Sequence, residues 1–127
     1  ASTFYPKITN GLLSGAITEL KKRKFYYEIF RVNGSLEIPV QISILLNKKK
    51  YDAVIAVGCI IKGKTDHYEF IANAITNSLL QMSVDKKIPV LNSILTCTSL
   101  KQATERSQKK INRAKEAVLA AISVLNN

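Results

Sequence analysis

The sequence predicts an α/β domain in three layers, with a four-stranded parallel sheet held between helices, and three observations predict it. Short apolar runs bounded by turn residues alternate with stretches in which apolar side chains recur at i, i+3 and i+4, the periods of buried strands and amphipathic helices. No linker, repeat or low-complexity segment interrupts that alternation over the 127 residues, which reads as one domain, 1–127. Parallel strands cannot be joined by hairpins and need helical crossovers, so strands separated by helices imply a parallel sheet covered on both faces.

The opening residues Ala1, Ser2, Thr3 and Phe4 read as the end of a first strand. No initiator Met precedes them, and the expectation is a strand largely trimmed, extending further upstream. Ile8, Leu12, Leu13, Ala16, Ile17 and Leu20 mark the first helix. Residues 25–32 read as a second strand, ended by the turn pair Asn33-Gly34. Ile38, Ile42, Leu45 and Leu46 mark the second helix, with Pro39 in its first turn, where a missing N–H costs nothing.

Residues 51–61 form the predicted third strand, apolar enough to be buried on both faces. Asp66 and Glu69 have the spacing of a capping box and open a third helix through Phe70, Ile71, Ala74, Ile75, Leu79 and Met82. Residues 88–96 are the fourth strand. Ser99 and Gln102 repeat the cap signature before a single last helix through Ala103, Ile111, Ala114, Val118, Ile122 and Leu125. The arrangement is flavodoxin-like. In such sheets ligands bind outside the carboxyl ends of the strands, where four segments meet: the one after Thr3 and Phe4, residues 33–37, residues 58–67 and residues 92–99.

Composition narrows the class. Apolar residues make up 46% and charged residues 22%, a balance that excludes a disordered chain. No apolar stretch reaches the length of a membrane span and no signal peptide is visible, which predicts a cytoplasmic protein whose Cys59 and Cys97 stay reduced thiols. The net charge of +10 invites a nucleic-acid reading. Most of the excess, however, lies in four short clusters (Lys21 to Lys24 with Arg23, Lys48 to Lys50, Lys86 and Lys87, Lys109 and Lys110), the first three of them where helical periodicity stops and cations complement the carbonyl end of the dipole. Solvated helix ends are therefore expected, with weak non-specific polyanion binding at low salt and no specific nucleic-acid partner.

The chemistry concentrates after the third strand. His67 is the only histidine. Alone it reads as a surface or capping residue; beside a glycine-containing loop and a helix start it reads as a proton carrier next to an anion site. Gly63, Lys64 and Thr65 can wrap a phosphate, yet the loop carries neither G-x-G-x-x-G nor G-x-x-x-x-G-K-[ST], which favours a small phosphorylated metabolite over a nucleotide. Glu37 reads equally as a dipole-complementing first-turn acid and as a ligand group. Arg106, expected one and a half turns into the last helix, is either a solvated arginine paired with Glu105 or a planar phosphate clamp. Phe4 is a core residue or a stacking platform. No nucleophile triad, catalytic carboxylate pair or metal cluster emerges, and neither a metal nor a cofactor is expected.

Taken together, residues 51–70, with Gly58-Cys59-Ile60-Ile61-Lys62-Gly63-Lys64-Thr65-Asp66-His67 at their centre, resemble the lumazine synthase family of riboflavin biosynthesis. Leu12-Leu13-Ser14-Gly15-Ala16, Gly34-Ser35-Leu36-Glu37-Ile38-Pro39, Ile94-Leu95-Thr96 and Gln102-Ala103-Thr104-Glu105-Arg106 match in the same order, and the resemblance covers nearly the whole chain. It implies a lumazine-synthase-like domain that condenses 5-amino-6-(D-ribitylamino)uracil with 3,4-dihydroxy-2-butanone 4-phosphate to 6,7-dimethyl-8-ribityllumazine, phosphate and water. The substrates then supply both nucleophile and leaving group.

On this resemblance, Phe4 stacks on the pyrimidine, Ser35, Leu36 and Glu37 hold the ring and ribityl chain, and Cys59, Ile60 and Ile61 contact the heterocycle. Lys64, Thr65 and Arg106 bind the phosphate, and His67 shuttles protons. Asn92 stands where the family often has an aromatic residue from the neighbouring subunit, and Thr3 replaces a common arginine. The resemblance also implies homo-oligomers, pentamers or larger shells, with sites shared between neighbours. The competing readings are a non-catalytic flavin- or lumazine-binding module and a basic nucleic-acid-binding domain.

Overall fold

The structure, a computed structural model, describes residues 1–63, 67–108 and 110–127. Its elements follow the order α1 (Pro6–Lys22), a 3₁₀ turn (Ser35–Glu37), α2 (Ile38–Lys48), β1 (Val54–Ile61), α3 (His67–Lys86), β2 (Val90–Cys97), α4 (Leu100–Glu105) and α5 (Arg113–Leu125). Strands β1 and β2 are parallel and in register from Val54 opposite Val90 to Ile61 opposite Cys97.

Because side chains alternate across a strand, β1 feeds two cores. Val57 and Cys59 pack with Leu12, Ala16, Ala114 and Val118 of α1 and α5 on one face. Ala56 packs with Ile38, Ile42, Ile75 and Leu79 of α2 and α3 on the other. Helices thus cover both faces of a parallel sheet, as the alternation predicts. No helix among the described residues is long and apolar enough to cross a membrane.

Among the described residues, ladder pairing defines two strands, where the sequence predicts four. Residues 25–32 are irregular along most of their length and join the sheet through a parallel bridge between Ser2 and Val32. Around it, Val32 N donates to Ala1 O (2.9 Å), Thr3 N to Val32 O (2.9 Å) and Ser2 N to Val57 O (2.8 Å), while the Ala1 amino group donates to Phe30 O (2.7 Å). A strand exists only where a second backbone accepts and donates. Residues 25–29 have the composition of a strand, but the first segment pairs only beyond them, at Phe30 and Val32, while Phe25 N donates back to Leu20 O of α1 (3.0 Å). Between it and β1 lies an apolar cavity of about 630 Å³, lined from α1, α2 and α5 as well as by Phe25, Ile29 and Val54. Across its mouth Glu28 Oε1 accepts from Lys49 Nζ (2.7 Å) and Tyr51 OH (2.9 Å). The Lys49 hydrogen bond, then that of Tyr51, holds the Glu28 carboxyl below its usual range.

The predicted single last helix is two. After α4, residues 106–108 and 110–112 leave the helical path, Ser107 bridges Asn112, and Asn112 caps α5 by accepting from Ala114 N (3.1 Å) and Lys115 N (3.0 Å). Ile111 is exposed rather than a core position. The predicted third and fourth strands also begin later, at Val54 and Val90. The charge clusters lie as expected: Lys21 and Lys22, Lys48, and Lys86 occupy the last turns of α1, α2 and α3. Lys109 of the remaining cluster lies outside the described residues, as do the Asp66 half of the predicted capping box and the phosphate-loop residues Lys64 and Thr65.

Both cysteines are free and buried. Burial, and then the neighbouring Cys97, pushes the Cys59 thiol from its ordinary 9.0 to about 12. A raised folded-state value favours the neutral thiol, so the stability it contributes is complete below pH 9 and is lost as pH rises from 9 towards 12. The native protein at pH 8 is expected to leave both thiols unlabelled by a disulfide reagent, with two reacting once urea unfolds it; rapid labelling of the folded protein would contradict this burial.

Candidate active site

The carboxyl ends of β1 and β2 form the rim on which the predicted site residues are judged. Gly58 brings the backbones of the sheet and its neighbours together: a Cβ placed there would stand 2.7 Å from Ser2 Oγ and 2.8 Å from Ser35 Oγ. Only glycine allows the first segment and the Ser35–Glu37 turn to close over β1 in this way. Phe4 follows directly, 71% exposed, its ring edge-on to Tyr5 at 5.0 Å between centroids. A ring that open is not a core residue of this chain on its own.

In the turn, Ser35 is buried and Leu36 exposed. Glu37 is the residue before α2, whose first turn holds Pro39 as expected. Glu37 Oε2 lies 3.0 Å from the position of a Cβ on Gly34, so the carboxylate folds back over a glycine that leaves it room. Ile60 and Ile61 are half-buried at the end of β1, but the Cys59 side chain points into the core with Val57 and Leu95. Cys59 therefore presents its backbone, and not its thiol, to the rim.

Lys62 N donates to Cys97 O (2.9 Å), carrying the pairing one step past the strands. His67 is the first residue of α3 and exposed. It thus stands where a helix begins and its N–H groups lack intrahelical acceptors, as the sequence predicts.

Arg106 does not lie within a helix. It ends α4, half-buried, and its guanidinium Nη1 reaches Cys97 Sγ at 3.7 Å, which sets the cation at the carboxyl end of β2. Salt bridges among the described residues include none between Arg106 and Glu105. The loop before α4 is held by Gln102, whose Oε1 accepts from Thr98 N and Thr98 Oγ1, both at 3.0 Å, while Gln102 N bonds Ser99 Oγ at 3.2 Å. The Ser99 and Gln102 cap is thus legible in sequence, but Gln102's tie to Thr98 is not.

Asn92 stands apart from the rim. It lies opposite Ala56, four register steps before Ile60 and Thr96, and bonds Thr76 Oγ1 on α3 (3.2 Å). The chain therefore gathers Phe4, Ser35, Leu36, Glu37, Ile60, Ile61, Arg106 and the His67 end of α3 about the strand ends, without Asn92. Asn112 is the residue whose importance the sequence understates, since besides capping α5 it donates to Gly11 O on α1 at 2.9 Å. An asparagine just ahead of a helix-forming run is the signal that marks it.

Comparison with known proteins adds the remaining observation. Residues 1–127 match the family described as 6,7-dimethyl-8-ribityllumazine synthase. The chain is 39% identical over 126 residues to the protein of that name from Bartonella tribocorum, covering 95% of this chain and 83% of that one. It is 36% identical over 128 residues to the Nitrobacter hamburgensis protein of the same name (96% and 78%) and 37% identical over 123 residues to that of Methylobacterium radiotolerans (96% and 75%).

Proposed function

The chain belongs to the 6,7-dimethyl-8-ribityllumazine synthase family, and on that premise we propose that its rim condenses 5-amino-6-(D-ribitylamino)uracil with 3,4-dihydroxy-2-butanone 4-phosphate. It is an enzyme, a transferase of riboflavin biosynthesis, and a non-catalytic flavin-binding role is not favoured by the match. The observation that carries the reading is the match along the whole chain, supported by the meeting of Phe4, the Ser35–Glu37 turn and Arg106 at one end of the sheet.

In the mechanism we propose, the pyrimidine lies on the Phe4 face, with its ring and ribityl chain against residues 35–37 and the β1 end. Lys64, Thr65 and Arg106 take the phosphate, and the Arg106 planar fork suits its oxygens. The substrate amine attacks the ketone and expels water to form an imine, phosphate leaves, and ring closure expels a second water. His67 carries the protons these steps exchange. Holding amine and ketone together supplies about 7–11 kcal/mol of the barrier through effective molarity, which is why no protein nucleophile is required. The enzyme works in the cytoplasm, on two small-molecule substrates.

We also infer a four-stranded parallel sheet in the spatial order residues 30–32, residues 1–3, β1, β2. The alternating bonds Val32 N to Ala1 O and Thr3 N to Val32 O support it, as does Ser2 N to Val57 O on the other edge. The same ladder carried towards residue 25 runs into the 630 Å³ cavity, whose apolar lining suits an extended strand. Assembly into pentamers or larger shells is supported by exposed apolar side chains on α2 (Val40, Ile44) and α3 (Phe70, Leu80, Val84). In such an assembly Asn92, which stands apart from the rim of its own chain, serves a neighbour's site.

Mixing the purified protein with both substrates tests the reading: lumazine absorbance and fluorescence should rise well above the spontaneous rate. A rate equal to the protein-free control would overturn it.

A further inference from the structure

Two buried hydroxyls beneath the rim are unaccounted for. Ser2 is fully buried and Ser35 is 8% exposed, and neither Oγ has a hydrogen-bond partner among the described residues. Leaving a buried hydroxyl unmatched costs more than a made hydrogen bond contributes, so two such groups at one place point to a shared partner. They are at one place: the Cβ position on Gly58 lies 2.7 Å from one and 2.8 Å from the other, which puts the two oxygens no more than about 5.5 Å apart. That separation suits one water accepting from or donating to both at ordinary hydrogen-bond distances.

The β1 carbonyls just before Gly58 are already engaged. Val57 O accepts from Ser2 N, and Ala56 O accepts from Ser93 Oγ at 2.6 Å. Ile38 Cδ1 closes the apolar side at 3.5 Å from the same Cβ position. Polar groups converging in a small space with an apolar wall are what a buried structural water needs.

We propose that Ser2 and Ser35 hold one buried water against the Cα of Gly58, and that this water ties the segment carrying Phe4 to the turn carrying Leu36 and Glu37. Ser2 and Ser35 are then positioning residues: their hydroxyls act on the pyrimidine through the water and the two segments it joins. Gly58 is the third member, because any side chain there occupies the space between the hydroxyls. The kinetic part rests on the lumazine synthase reading, while the water site itself does not.

A high-resolution crystal structure of the unaltered protein tests the site. The expected result is a density peak within about 3.2 Å of both Oγ atoms; no peak there, or the two hydroxyls bonded directly to each other, overturns the proposal whatever the protein's activity. Ser2→Ala, which removes one partner and leaves the turn intact, tests the tie. It is expected to lose the peak and to raise KM for the ribitylamino-pyrimidine about 5- to 10-fold, the worth of one hydrogen bond. The KM for the phosphorylated ketone and kcat should stay unchanged. A merely space-filling serine would leave the two KM values in their original ratio. That outcome, with a folded variant shown by an unchanged circular dichroism spectrum, overturns the positioning role; should the variant fail to fold, Ser2→Cys, close in size and only a weak hydrogen-bonding partner, read the same way decides between the two.

Discussion

Replacing His67 by alanine is expected to lower kcat about 10²–10⁴-fold, the usual worth of a positioned proton carrier, and to leave measurable turnover. Attack by the amine, departure of phosphate and ring closure each need a proton taken up or released near neutral pH, and His67 is the chain's only histidine. Its exposed place at the first residue of α3 lets the ring reach a bound substrate rather than the core. The residual rate comes from proximity, which the substitution leaves alone. Saturating both substrates separates the effect from binding, and imidazole added to the variant should restore part of the rate. An unchanged kcat would remove His67 from the mechanism.

Gly15→Ala is expected to destabilise the fold by about 2–5 kcal/mol, combining an overpacked contact with damage to a helix cap. Helix propensity alone argues the other way, favouring alanine by roughly 1 kcal/mol. Packing wins because the new Cβ would stand 2.3 Å from Asn112 Cγ and 2.4 Å from its Nδ2. Asn112 has nowhere to go. It is 4% exposed, and its side chain bonds Gly11 O, Ser107 O, Ala114 N and Lys115 N together. Urea unfolding should show the loss, while Ser14→Ala, one residue away and exposed, should stay within about 0.5 kcal/mol of the original. Equal stability of Gly15→Ala would mean that α1 and α5 do not pack this closely.

Much of this was legible in the residues themselves. Ile8 through Leu20 carry the period of α1, Pro39 marks the start of α2, and the run Ala53 to Val57 reads as a strand buried on both faces because helices do cover both. The break after Arg106 was not legible, since Ala103, Ile111 and Ala114 fall on a believable helical stripe that the chain crosses by leaving the helix and restarting at Asn112. Residues 25–32 have the composition of a strand, yet strand status depends on a partner backbone, which lies elsewhere in the sequence. At the candidate site, residue types single out residues 63–65 and His67 for the roles proposed above. Burial could not be read: Cys59, next to Ile60 in the motif, turns its thiol to the core, and Ser2 and Ser35 gave no sign of facing each other across Gly58.

The hydrogen bond from Asn112 to Gly11 joins residues 101 positions apart, and that span has a kinetic meaning. Helix α1 carries the apolar stripe Ile8, Leu12 and Ala16, and α5 from the far end of the chain supplies Ala114 and Val118 to cover it. A chain made from its amino end at about 5–20 residues per second holds that stripe without its partner for roughly 5–20 s. Contacts so distant in sequence are also the slow ones to form. The period between the emergence of α1 and that of α5 is therefore when a newborn chain is most exposed to aggregation and to capture by chaperones, and a synonymous pause placed there would lengthen it.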